Sequence, residues 1–291
     1  MTSPAPSSEV RTRLVMGTIL ALLAAGILVG DYALERATGY RFYPCLLVCV
    51  VGMAGLAAVE MHLLLEERLR PPVWLTVGGS ASVLLAVWPA HLGWRHEPLR
   101  DVAIVFAFVF LVAFLYEMWR FREPDSVVVR LALGIFTVAY LGFLPAFLVD
   151  LRWWDDPLKG VTALVLVIFV PKSCDIGAYF TGRAFGRHHM TRYLSPKKTW
   201  EGLAGGVALS MLVAVGVNRV MSQLLGDDLH AAAFGVVVGL VGVLGDLGES
   251  LIKRDCGKKD AATMLPGFGG VLDVIDSILF AAPVAWVWLR G

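Results

Sequence analysis

The sequence predicts an all-α, polytopic integral membrane protein with about nine transmembrane helices and a cytoplasmic N-terminus, and three observations carry that prediction. Of the 291 residues, 57% are hydrophobic and only 17% charged, with a mean hydropathy of +0.71, which is too apolar for an ordinary soluble domain of this length. Stretches of the roughly 20 apolar residues that a helix needs to cross the hydrocarbon core recur from end to end. The basic residues between them alternate in density: fifteen of the 25 Lys and Arg fall at one set of ends and eight at the other, which orients the chain by the positive-inside rule.

Residues 1–10 form a polar tail, and Arg11 and Arg13 precede an apolar run from Leu14 to Gly30. This superficially resembles a signal peptide, but no small-x-small cleavage site follows, so a retained first helix near 14–33 is expected. Further spans are expected near 43–64, 73–93, 102–119, 128–149, 161–180, 203–221, 230–246 and 270–289. The third carries polar residues and glycines and the eighth is short. The densest basic loops, Arg183 to Lys198 and Lys253 to Lys259, then face the cytoplasm from a cell (inner) membrane. Trp153, Trp154, Trp286 and Trp288 fit interfacial belts.

The net charge of +1 gives no global attraction to nucleic acid, so anion binding must come from local clusters. Cys45, Cys49, Cys174 and Cys256 form no CxxC pair and are read as free thiols. No repeat or linker divides the chain. Residues 1–150 read as a transmembrane scaffold with few intramembrane charges, and 151–291 as a catalytic half in which polar groups enter the membrane.

Two clusters carry the chemistry. Asp246, Glu249, Ser250 and Lys253 recur at i, i+3, i+4 and i+7, one polar stripe on an otherwise apolar helix. That stripe runs into Arg254, Lys258, Lys259 and Asp260, then Pro266, Gly267, Gly269 and Gly270, and a last helix opening with Asp273 and Asp276. Glycines admit phosphate to the backbone, and carboxylates at the ends of adjacent helices suit one or two divalent cations. The bland alternative, a solvated loop with capping aspartates, does not account for acids inside spans. Upstream, Pro171 with Lys172 and Asp175 in apolar surroundings predicts a broken helix beside a polar cavity. Gly182-Arg183, Gly186-Arg187 and the run Ser195, Pro196, Lys197, Lys198, Thr199 suit a polyphosphate. A plain positive-inside loop explains those basic residues but not Lys172 and Asp175. His188 and His189 are adjacent and share no helical face, so they are read as loop histidines.

These residues resemble the phosphatidate cytidylyltransferases, or CDP-diacylglycerol synthases. The family signature S-x-[LIVMF]-K-R, four residues, K-D, a spacer, [PG]-x-H-G-G, two apolar residues and D-R-x-D is matched by Ser250, Lys253, Arg254, Lys259, Asp260, Pro266, Gly269, Gly270, Asp273 and Asp276. Phe268 and Val274 stand where the family has His and Arg. Asp175, Ala178, Tyr179, Gly182, Arg183, Gly186 and Arg187 fit a second family pattern, SPKKTWEG at 195–202 a third, and Gly245, Asp246, Leu247, Glu249 and Ser250 a fourth.

The resemblance, specific over 171–277, implies transfer of the cytidylyl group of CTP to phosphatidate, with Mg²⁺ and a second cation as an option. It implies Asp246 and Asp273 as metal ligands, with Glu249 and Asp276 beside them. Lys253, Arg254 and Lys259 are implied to stabilise charge on the leaving pyrophosphate, and Asp260 to ligate the metal or stand directly behind its ligands. Asp175, Arg183, Arg187, Ser195, Lys197, Lys198, Thr199, Ser250, Gly269 and Gly270 are implied as substrate contacts. It also implies a homodimer in the lipid bilayer and no nucleic-acid partner. The rival readings are a CTP-dependent polyprenol or phytol kinase, which would move the γ-phosphoryl group, and a non-catalytic transporter or scaffold using Lys172 and Asp175 as a midplane pair.

Overall fold

The computed structural model describes residues 6–93, 97–258, 262 and 269–291. Lys259, Asp260, Pro266 and Phe268 lie outside the described residues. Helices α1 (Pro6–Thr38), α2 (Pro44–Leu64), α3 (Val73–Leu85), α4 (Trp88–His91), α5 (Pro98–Arg120), α6 (Val127–Val138), α7 (Leu144–Asp150), α8 (Pro157–Phe185), α9 (Trp200–Val220), α10 (Asp228–Asp255) and α11 (Val271–Arg290) follow in order. They supply, among the described residues, nine segments long and apolar enough to cross a membrane. The third is α3 continued by α4, and the fifth is α6 continued through a π-helical turn, Ala139–Phe143, into α7. Pro145 accounts for that turn. It has no N–H to offer one turn back, and the Leu144 N–H reaches Ala139 O across a widened turn instead.

Two expectations need correction. The eighth span does not stop at 246, where the glycines and acids begin, but runs on as one helix to Asp255. The sixth is not broken at Pro171: α8 is continuous, with Pro171 buried inside it. Pro171 packs against Gly242 of α10, where an added Cβ would stand 2.5 Å from the proline Cβ. The Ser173 hydroxyl donates to Val170 O at 2.7 Å, turning one more polar group inward.

Small residues bring α8, α9, α10 and α11 into close contact. A Cβ at Gly206 would lie 2.5 Å from Cys174 O, and one at Gly245 would lie 2.5 Å from Asp276 O. The largest apolar cluster draws on both halves of the chain, from Leu28 and Leu46 through Leu164 and Phe234 to Ala285.

The end of the bundle formed by the C-termini of α1, α7 and α11 is closed by a buried polar and aromatic knot. Arg152, fully buried, donates to Glu35 at 3.1 Å and lies 3.8 Å over the Tyr43 ring. Asp150 joins His91 at 2.8 Å and accepts from Trp286 Nε1 at 2.7 Å. Trp153, 5% exposed, stacks on His91 rather than facing an interface, because its indole N–H is used by Arg41 O. The interfacial reading of Trp153 is thereby corrected.

Candidate active site

The opposite end gathers the C-termini of α2, α8 and α10 with the N-termini of α9 and α11. The stripe of α10 faces inward there. Asp246, Glu249 and Asp276 each present an oxygen within 4.8 Å of the others, with Glu249 and Asp276 buried. Three lysines interleave with the acids. Lys172 of α8 lies 3.1 Å from Asp276 and 3.8 Å from Asp175. Lys198, from the loop before α9, lies 2.7 Å from Asp246. Lys253 lies 2.7 Å from Glu249 and 2.5 Å from Asp273.

Five carboxyl groups therefore share three ammonium groups, a formal excess of two negative charges. Glu249 Oε1 is buried with no hydrogen-bond partner, which in low dielectric is costly unless a ligand supplies one. An oxygen-only donor set with two surplus charges and an orphaned carboxylate oxygen fits a hard divalent cation such as Mg²⁺.

Asp273 stands apart from that trio. Its Oδ2 accepts from the Gly270 N–H at 2.6 Å and its Oδ1 meets Lys253. Gly269 holds φ +100, which favours glycine, and a Cβ there would meet the Asp273 carboxylate at 2.6 Å. The next two amides of α11, Val271 and Leu272, donate to the two oxygens of Glu60 at 2.8 Å each. The α11 N-terminus is thus filled by carboxylates of the chain itself.

Among the described residues, the basic loop divides. Lys198 enters the cluster, whereas Arg183, Arg187 and Lys197 are exposed on the approach to it, with Arg183 donating to Tyr179 Oη at 3.3 Å. The Thr199 hydroxyl caps α9 by accepting from Gly202 N at 3.1 Å. Ser195 O accepts from Lys198 N at 3.1 Å and Ser195 N donates to the Thr191 hydroxyl, a tight turn that aims Lys198 inward. Glu201 secures the start of the loop through the Arg187 and His188 amides and the His188 ring. Arg254 braces the loop from α10, donating to Leu194 O at 3.4 Å. Ser250 is buried on the stripe. Burial pushes the Cys256 thiol above its ordinary range, as befits an unreactive free cysteine.

Two residues of the N-terminal half reach this end without having been singled out by the sequence. Glu60 sits one turn from the C-terminal end of apolar α2, and an acid inside an apolar span is the one signal that marks it. Tyr140, in the π-turn, carried no signal.

A model of the cytidylyltransferase family matches residues 11–290. The chain belongs to this family. The phosphatidate cytidylyltransferase of Pseudomonas aeruginosa PAO1 is 40% identical over 96% of this chain and 91% of that protein. That of Mycobacterium tuberculosis H37Rv is 30% identical over 97% of this chain and 82% of that protein. That of Haemophilus influenzae is 33% identical over 70% of this chain, and the match spans 62% of that protein. Family membership covers all nine spans, so the N-terminal half belongs to the same architecture as the acid cluster.

Proposed function

We propose that this protein transfers the cytidylyl group of CTP to phosphatidate, giving CDP-diacylglycerol and pyrophosphate, at the cytoplasmic face of a cell membrane. The observation that carries the reading is the convergence of Asp246, Glu249 and Asp276 with Lys172, Lys198 and Lys253 at one end of the bundle. The family match and the names of the relatives support the same chemistry.

A phosphate oxygen of the lipid attacks the α-phosphorus of CTP. The bond from that phosphorus to the oxygen bridging to the β-phosphorus breaks, and pyrophosphate leaves with the electron pair. A phosphate monoester dianion is already nucleophilic, so no strong general base is required. The barrier lies in bringing two polyanions together in line.

Mg²⁺ held by Asp246, Glu249 and Asp276 would screen the phosphates and polarise the phosphorus. The protein does the rest. Lys198, carried on the turn at Ser195, offers its ammonium to the triphosphate, with exposed Arg183, Arg187 and Lys197 guiding the nucleotide toward it. Lys253, poised between Glu249 and Asp273, stabilises charge on the leaving pyrophosphate. Lys172 keeps Asp276 and Asp175 oriented from α8. The apolar helices around the cluster exclude bulk water, which strengthens each of these interactions.

The test is incubation of the purified protein with Mg²⁺, phosphatidate and CTP labelled separately at the α and γ positions. Label from the α position in lipid is the expected result. Label from the γ position would make the protein a lipid kinase, and no label in lipid would exclude both reactions for this substrate. The homodimer implied by the family resemblance belongs to the same proposal and is checked by detergent-corrected mass.

A further inference from the structure

Tyr140 is 4% exposed, and its hydroxyl has no hydrogen-bond partner. Its ring is fully occupied: Phe136 stacks on it at 5.7 Å and Phe280 meets it edge-on at 6.3 Å. A phenylalanine would satisfy this packing without burying an unpaired hydroxyl, so the packing does not explain the oxygen.

Its place in the fold does. Tyr140 lies within the π-turn Ala139–Phe143, and π-turns inside helices recur at functional sites. The turn is pressed against α3, since a Cβ at Gly142 would lie 2.9 Å from Ser80 Cα, and this fixes where Tyr140 points. Phe280 follows Asp276 by one turn of α11 and lies against Gly248 of α10, 3.3 Å from a Cβ built there, next to Glu249. Tyr140 also shares one buried apolar cluster with Leu272 and Ile275, which flank Asp273 and Asp276 on α11. A buried donor without a partner therefore packs beside the stretch of α11 that carries Asp276, one of the three acids of a site where Glu249 itself has an orphaned oxygen.

The other side of the tyrosine is covered by Phe136, which faces outward. Phe136 is also a wall of an apolar cleft of about 350 Å³ lined by Met61, Leu133, Leu251 and Ile252. Phe136 and Leu251 are exposed on the surface of the bundle. Tyr140 stands where hydrocarbon-facing surface gives way to the acid cluster. A hydroxyl at such a boundary suits a ligand with an anionic oxygen.

Resting on the cytidylyl-transfer reading, we infer that Tyr140 is a substrate-contacting residue whose hydroxyl donates a hydrogen bond to a phosphate oxygen held beside Asp246, Glu249 and Asp276. The phosphate of the lipid and those of the nucleotide offer the same acceptor chemistry, and kinetics separate them.

The experiment compares wild-type protein and Tyr140→Phe, both full-length, in mixed micelles with Mg²⁺. Phosphatidate is varied at saturating CTP, and CTP at saturating phosphatidate. Thermal unfolding of each protein is followed alongside. Expected are an unfolding temperature equal to or above wild type and a fall in kcat/KM on the order of tenfold, the effect of about one hydrogen bond made to the reacting complex. A loss confined to the lipid series assigns the lipid phosphate; a loss confined to the nucleotide series assigns CTP. Wild-type kcat/KM in both series for Tyr140→Phe would overturn the inference, as would earlier unfolding accompanied by an equal loss in both series, which would make the hydroxyl structural. A wild-type protein that transfers no α-label would overturn the underlying reading instead, a result visible before any variant is compared.

Discussion

Replacing Glu60 tests whether the two halves of the chain are coupled through one side chain. Glu60 is 1% exposed, and its two oxygens accept the Val271 and Leu272 amides at 2.8 Å each. Inside a membrane no water can take over the first-turn amides of α11, so Glu60→Ala orphans both. Each buried unsatisfied donor costs about 1–3 kcal/mol, giving roughly 2–6 kcal/mol for the pair. Glu60→Gln keeps one neutral acceptor and turns its NH₂ toward the other amide, so it should fall between wild type and Ala. Activity should drop further than stability alone requires, because α11 carries Asp273 and Asp276 on its first two turns. A displacement of about 1 Å at a reacting centre can cost on the order of 10²-fold. The assay is thermal unfolding in detergent together with α-label transfer at saturating substrates, measured below the unfolding temperature of every variant. The order wild type, Gln, Ala in both readouts is expected. If Glu60→Ala unfolds with wild type and turns over at the wild-type rate, the reasoning is refuted.

Asp246→Asn and Asp276→Asn should each lower turnover by about 10²-fold or more, with unfolding temperatures unchanged or raised because formal negative charge in the cluster falls; chelation should abolish wild-type turnover and added Mg²⁺ restore it. Glu117→Ala removes one carboxylate of buried Arg130, held at 3.0 Å, and should cost about 3–5 kcal/mol in detergent unfolding while leaving turnover per folded molecule intact. Gly242→Ala forces a Cβ to within 2.5 Å of Pro171 Cβ; a loss of about 1–3 kcal/mol is expected in the same unfolding assay. Phe268→His restores the imidazole of the family signature and should give equal or higher turnover in the labelled-CTP assay.

The nine spans were legible because hydrocarbon length and side-chain hydropathy are local quantities, and among the described residues the structure has nine such helical segments. Helix ends were less so. Hydropathy stops at Asp246, but the backbone hydrogen bonds do not, since the acids that follow turn toward Lys198, Lys253 and the neighbouring helices rather than lipid. Pro171 failed as a break signal because a proline kink depends on what packs against it, and Gly242 lies far away in sequence. The stripe on α10 could be read from its spacing, yet its partition could not. Asp273 and Asp276 are three residues apart on one helix, but Asp273 is drawn to the Gly270 amide while Asp276 turns to Lys172. Glu60 and Tyr140 escaped a reading that treated residues 1–150 as scaffold, because their partners lie more than a hundred positions downstream.

The two ends of the bundle differ in a way that favours one of them for the proposed chemistry. Each has buried acids in a medium that penalises unpaired charge. At the far end the acids find partners within the chain. Glu35 has Arg152 and Arg41, Asp150 has His91 and the Trp286 indole, and Asp31 caps α2 through the Cys45 and Leu46 amides. Glu60 does for α11 what Asp31 does for α2, so cross-helix capping is common to both ends. The difference lies in the remainder. Among the described residues of the near end five carboxyl groups meet three lysines; Glu249 Oε1 and the Tyr140 hydroxyl lack hydrogen-bond partners there, as Glu35 Oε1 and the Tyr43 hydroxyl do at the far end, so the charge balance is what sets the two ends apart. An end left short of positive charge, with exposed Arg183, Arg187 and Lys197 at its rim, is what the proposed reaction between a cation and two phosphate-bearing substrates would require.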